Sequence, residues 1–177
     1  ESSLRAYFPG LVVEKGENTL DKLRASNTLV VDFGLSEEFM RPLRTFQHFD
    51  LDPLTGVITA FENLKPGEMG LLQVMFQATR WAWADSILRS VSDGEGGSFF
   101  DDSPEMLSLA REKTTRPLFA CVIRAMGAGP SEDAAWDIVR RIASGLLPVT
   151  SYPQSNELIP LTNEEYDDGI HFNDVMR

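Results

Sequence analysis

Cysteine is almost missing from this chain: its 177 residues include one, Cys121. A single thiol excludes an intramolecular disulfide framework and any paired-cysteine metal spacing, and it fits a reducing, cytoplasmic setting. No apolar run approaches the roughly 18 residues a membrane span requires. Positive charge is also short, with 16 Lys and Arg against 27 Asp and Glu and a formal net charge of -11. That balance repels phosphate backbones, so direct nucleic-acid binding is not expected of this segment, and protein partners are. No phosphate-cradling G-x-x-x-x-G-K-[ST] loop is present, because the clusters Gly94-Gly96-Gly97 and Gly127-Gly129 lack the Lys and hydroxyl that would follow. Nucleotide hydrolysis is therefore not expected here. The opening Glu1-Ser2-Ser3-Leu4 has neither an initiator Met nor the basic and apolar regions of a signal peptide, and it reads as the cut edge of something longer.

What is present is a pattern that occurs twice. Residues 1–27 form a lead-in with a short helical possibility near Thr19 to Arg24. The first strand, Thr28 to Phe33, turns Leu29, Val31 and Phe33 to one side and Val30 and Asp32 to the other. Asp52-Pro53 then caps and opens a helix whose apolar stripe is Leu54, Val57, Ile58, Phe61 and Leu64, stopped by Lys65-Pro66-Gly67-Glu68. Leu72, Val74, Phe76 and Ala78 alternate with Gln73, Met75 and Gln77 as a second strand. A helical insertion follows over about 81–115: Trp81 to Val91, a loop at Asp93-Gly94-Glu95-Gly96-Gly97, and a helix from Ser103-Pro104-Glu105 to about Lys113. Leu118 to Met126 is the most apolar strand, which suits the sheet centre and buries Cys121.

Ser131 caps the last helix, whose apolar stripe is Ala134, Ala135, Ile138, Val139, Ile142, Ala143 and Leu146. Arg140 and Arg141 lie near its C-terminal end, and Gly145 and Pro148 end it. A short edge strand, Glu157 to Leu161, tolerates Pro160. Strand-helix-strand twice predicts an α+β ferredoxin-like βαβ-βαβ sandwich over 28–161, with an antiparallel sheet of order 4-1-3-2 and the insertion between strands 2 and 3. Residues 162–177 are expected to be an acidic linker toward a missing downstream domain.

Each candidate chemistry has a plainer reading beside it. His48 with Asp50 and Asp52, and His171 with Asp167, Asp168 and Asp174, match neither a calcium loop nor a helical zinc motif, so they read as solvated surface and no metal is expected. Nucleophilic catalysis lacks a Ser, Cys or Thr beside a base, since Cys121 is expected to be buried and both His lie outside the core elements. An acylphosphatase-like use of the fold needs an Arg-bearing anion loop after the first strand, and here Phe33-Gly34-Leu35-Ser36-Glu37-Glu38 is an acidic turn; Arg41 and Arg44 come later and read as surface or partner residues. Base stacking on RNA needs aromatics on the open sheet face, which carries Val30, Asp32, Ala120, Val122 and Arg124; Asp32 and Arg124 are placed to pair. No catalytic or cofactor-binding residue is assigned. Trp81, Trp83, Phe99 and Phe100 either glue the insertion to the sheet or stand exposed as interface anchors beside Arg80 and Arg89.

Asp52-Pro53-Leu54, Lys65-Pro66-Gly67-Glu68, Gln73-Val74-Met75-Phe76, Trp81 with Trp83, and Pro117-Leu118-Phe119 through Ile123-Arg124 together resemble the region ahead of the motor in conjugative DNA-transfer ATPases of the type IV secretion and HerA/FtsK-like group. Asn156-Glu157-Leu158-Ile159-Pro160-Leu161 with the acidic stretch after it resembles the link toward that motor. The likeness covers roughly 28–177 and includes no catalytic signature. It implies an N-terminal accessory domain whose parent is a P-loop ATPase using ATP and Mg, with no cofactor held in this segment. Its expected role is assembly, docking or regulation, with neighbouring subunits of a homo-oligomer or secretion components as partners. The alternative is a stand-alone small α+β ligand- or metal-binding protein or enzyme.

Overall fold

Alternating apolar residues make strands here, and three-four spacing makes helices. The computed structural model describes residues 27–161, apart from 46, 47, 50, 51, 53, 79, 80 and 151–153, together with Gly10, Val12 and Gly16. The expected helix near Thr19 to Arg24 and the acidic linker at 162–177 lie outside the described residues. The elements are β1 (Asn27–Leu35), α1 (Leu54–Glu62), β2 (Met69–Ala78), α2 (Trp83–Val91), α3 (Glu105–Thr114), β3 (Phe119–Gly129), α4 (Glu132–Thr150) and β4 (Leu158–Leu161).

The chain is α+β, with one four-stranded sheet in the order β2-β3-β1-β4 and every neighbouring pair antiparallel. β1 and β3 are central, with Val31 opposite Ala125 and Asp32 opposite Arg124. The α2–α3 insertion stands between β2 and β3 in sequence. No helix among the described residues is long and apolar enough to cross a membrane.

α1 and α4 lie over one side of the sheet, where Val57, Ala60, Ile138, Val139 and Ile142 close on Val31, Phe33 and Ala125. α1 begins as its sequence suggests: Asp52 Oδ1 accepts the Leu54 N–H at 2.9 Å. Its buried stripe, however, is narrower than the spacing predicts, because Leu54 and Ile58 are exposed and the buried residues are Val57 and Ala60. The reason is a close helix crossing. A Cβ on Gly145 would sit 2.5 Å from the Gly56 carbonyl carbon, so the two backbones touch and small residues face the contact while the larger ones turn outward.

That crossing also corrects the expected end of α4. The helix does not stop at Gly145 but runs on to Thr150, Gly145 serving the crossing instead of a terminus. Arg140 and Arg141 therefore lie mid-helix, not near its C-terminal end. The N-terminus is capped as expected, with the Ala134 N–H donating to Ser131 Oγ at 3.2 Å.

The insertion has its own core of Ile87, Val91, Met106, Leu107 and Ala110, joined by Met40 from the segment after β1. Asn156, fully buried, ties that segment to the start of β4. Its Oδ1 accepts from the Glu37 and Glu157 N–H groups at 3.0 Å each, and its Nδ2 donates to the Glu37 and Glu38 carbonyls at 3.0 and 2.9 Å. Every polar position of the amide is filled, which removes the penalty of burying it.

Candidate interaction surface

The helix layer covers only the first half of β2, where Phe61 of α1 and Ile138 of α4 close on Gly70. The C-terminal half of β2, Val74 to Ala78, is exposed throughout, and it pairs with the first five residues of β3, Phe119 to Ile123. Beyond Ile123, which still pairs with Phe33 of β1 and packs on the main core, these segments form a two-stranded ribbon that leaves the helix layer behind. Phe76 is 72% exposed and Phe119 53%, their rings meeting edge to face at 5.9 Å. Val74 is exposed on the same face, and Met75 and Val122 are exposed on the opposite face of the ribbon. Cys121 is exposed as well, which corrects its expected burial: it lies on the part of β3 that the helices do not reach.

At the base of the ribbon an apolar cleft of about 550 Å³ opens between the end of β1 and the insertion, with Phe33, Phe39, Trp83, Ile87 and Phe119 among its walls. Its one charged lining residue is Lys113, from α3. The Lys113 ammonium donates to the Phe39 and Arg41 carbonyls, and burial holds its pKa below the ordinary lysine value. No carboxylate pairs with it among the described residues, although the chain is strongly acidic.

The sequence-based candidates scatter over this surface. Trp81 is 78% exposed and Trp83 40%, and Trp83 walls the cleft. Phe100 packs into the insertion's own core; Phe99, exposed, stacks edge to face on it at 5.4 Å. Arg89 donates to the Asp85 carbonyl of its own helix at 3.2 Å. Arg80 lies outside the described residues. Phe76, Phe119, Val74, Met75 and Lys113 were missed, and Val122 was placed on the open sheet face without being singled out. Alternation in β2 suggested one covered face, and an apolar residue on an uncovered ribbon has the same spacing.

Two polar regions are internally satisfied. A groove of about 620 Å³ between α1 and α4 is lined by Lys65, Glu68, Asp137, Arg140 and Arg141 among others. Arg141 donates to the Asn63 carbonyl at 2.8 Å and to Glu68 Oε2 at 3.2 Å, and Arg140 pairs with Asp137 at 3.4 Å. The Lys65 N–H, followed by Arg141, holds the Glu68 carboxyl below its usual pKa. On the sheet face away from the helices, Arg124 grips Asp32 with two bonds, at 2.6 and 3.0 Å, and these bonds raise the guanidinium pKa.

No three His, Cys, Asp or Glu residues among those described are grouped to hold a metal. His48 Nδ1 is instead 3.2 Å from Thr45 Oγ1. Asp50 and the His171 cluster lie outside the described residues. Compared with protein-family models, with curated proteins and with solved structures, the chain has no match.

Proposed function

We propose that this chain is a docking domain of the ferredoxin-like βαβ-βαβ kind, working in the cytoplasm as the accessory module of a larger DNA-translocating or secretion ATPase. The observation that carries the docking role is the ribbon of Val74 to Ala78 with Phe119 to Ile123, which presents large apolar side chains beyond the helix layer. Contiguous exposed apolar surface of this kind marks interaction sites. The ferredoxin-like reading is supported by the strand order, which runs 4-1-3-2 from its β4 edge. The ATPase parent rests on the resemblance alone, with ATP and Mg belonging to its motor.

The test uses the whole reading frame. A downstream G-x-x-x-x-G-K-[ST] is expected, and Trp83→Ser with Phe119→Ser is expected to lower the assembled mass of the whole protein while leaving the melting temperature of this domain in place. A reading frame without that loop removes the ATPase parent. Assembly indifferent to the double substitution removes the docking role.

A second reading is favoured by Lys113. A lone cation at an apolar cleft suits a ligand with an apolar body and one carboxylate. Calorimetric titration with decanoate is expected to give heat that Lys113→Met abolishes, and no heat with the unsubstituted chain ends that reading.

A further inference from the structure

The two edges of the sheet are built differently. β4, one edge, is four residues long and carries Pro160, two devices that keep other strands from adding to it. β2, the other edge, is ten residues long, and from Met69 to Ala78 it contains no Lys, Arg, Asp, Glu or Pro. β2 pairs with β3 along its whole length, and among the described residues no strand pairs with its outer side. Half of its N–H and C=O groups therefore face outward over a segment whose side chains are apolar or amide.

We propose that a second copy of this chain docks on that edge, the two β2 strands pairing antiparallel about a two-fold axis. The inference rests on the docking role proposed above and names its partner. Three arguments favour a second copy.

An edge turned by two-fold symmetry offers its own donors to its own acceptors, so one surface serves both sides. With the axis at Met75, Val74 faces Phe76 of the second copy and Gln73 faces Gln77, giving two apolar cross-strand pairs and two amide pairs. Charge points the same way. Copies that each carry -11 repel one another where they are acidic, and the uncharged β2 edge with Phe119 to Ile123 beside it is a place where they can meet. Area sets the strength. At their observed exposures Val74, Phe76 and Phe119 on one face of the ribbon and Met75 and Val122 on the other hold together roughly 500 Å² of open apolar surface. A standard interface takes about 800 Å² from each partner, so this surface supports a weak dimer.

Sedimentation equilibrium of the 177-residue chain tests this over a concentration series at low and high salt. The mass is expected to rise toward twice the monomer, and to do so at lower protein concentration in high salt, because salt screens the like charges and leaves apolar and backbone pairing intact. Val74→Lys, at an exposed edge position where folding is not at risk, is expected to weaken association at least tenfold. In a Cys121→Ser background, single cysteines at 74, 75 and 76 locate the axis: the position on it yields a disulfide-linked dimer.

A chain that stays monomeric at both salts overturns the proposal. So does a dimer that Val74→Lys leaves unchanged, since the copies then meet elsewhere. The docking role is judged separately: if Trp83→Ser with Phe119→Ser still lowers assembly of the whole protein, docking stands with another partner on the ribbon, and if it does not, both fall.

Discussion

Phe33 and Phe76 project from the same side of the same sheet, yet Phe33 is 7% exposed and Phe76 is 72% exposed. The register makes the comparison strict: Phe33 lies opposite Ile123, Ile123 lies opposite Val74, and Phe76 is two residues further along β2. Residue type, sheet face and backbone conformation are shared. What differs is whether a helix lies above. Over Phe33, α1 and α4 supply Val57, Ile138 and Ile142; over Phe76 the helix layer has ended. Burial in this domain is set by the reach of the helices, and the ribbon is where they fall short.

The largest effect that sharpens this contrast is expected at Phe33. Phe33→Ala removes a ring from the main core and should cost about 3–5 kcal/mol, read as a lowered midpoint in urea with an unchanged slope. A loss under about 1 kcal/mol would mean that the helix layer is loosely seated, and the contrast would collapse.

Asn156→Ala comes next. It leaves the Glu37 and Glu157 N–H groups and the Glu37 and Glu38 carbonyls without their partner, and should cost about 2–3 kcal/mol. Hydrogen exchange should quicken at Ser36, whose N–H donates to the Glu157 carbonyl. Protection unchanged at that amide would show that the clamp is dispensable.

Gly145→Ala tests the helix crossing with a smaller expected change. Alanine favours a helix interior by about 1 kcal/mol over glycine, but its Cβ would press on the Gly56 backbone, and overpacking costs about 1–3 kcal/mol. The net expectation is a loss of about 0–2 kcal/mol. A stabilised variant would show that α1 and α4 can move apart freely.

The positions of the strands and of α1 and α4 were legible because each carries a local signal: alternation in β1 and β2, the Asp52 cap, the Ser131 cap, and the three-four stripe of α4. The Asp32–Arg124 pair was legible from register alone. What local signals do not carry is coverage. Alternation in Val74 and Phe76 says which way a side chain points, and no periodicity says whether another layer is there to meet it. The same limit hid Cys121, set in an apolar run that resembles a buried central strand, and the continuation of α4 past Gly145, whose cause is a contact with Gly56 distant in sequence. The clamp role of Asn156 carried no signal in the sequence, because its four bonds depend on the turn after β1 coming back to β4.

A pH dependence belongs to the covered half. The Glu68 carboxyl is held below its ordinary pKa of 4.5 by the Lys65 N–H and Arg141, so the folded state keeps the ionised form to lower pH than the unfolded chain does. The contribution is present in full above about pH 4.5 and is lost as pH falls below it through the folded-state value. Glu68→Gln should flatten that part of the stability profile and change little at neutral pH. An unchanged acid slope would place the loss of stability in other carboxylates.

The smallest expected effect is at Phe76 itself. Phe76→Ala removes as many atoms as Phe33→Ala, but the ring faces water on most of its surface and meets the ring of Phe119, itself half open. An edge-to-face pair contributes about 0.5–1.5 kcal/mol when buried, and exposure reduces that, so the unfolding free energy from urea titration should change by less than about 0.5 kcal/mol. If its removal leaves the fold unharmed, the ring is free to serve a contact outside this chain's own fold. The same substitution should therefore weaken association of the chain at concentrations where its stability is indistinguishable from that of the parent sequence. A loss at Phe76 comparable to that at Phe33 would show instead that the ribbon is part of the core, and the distinction between the covered and open halves of the sheet would fail.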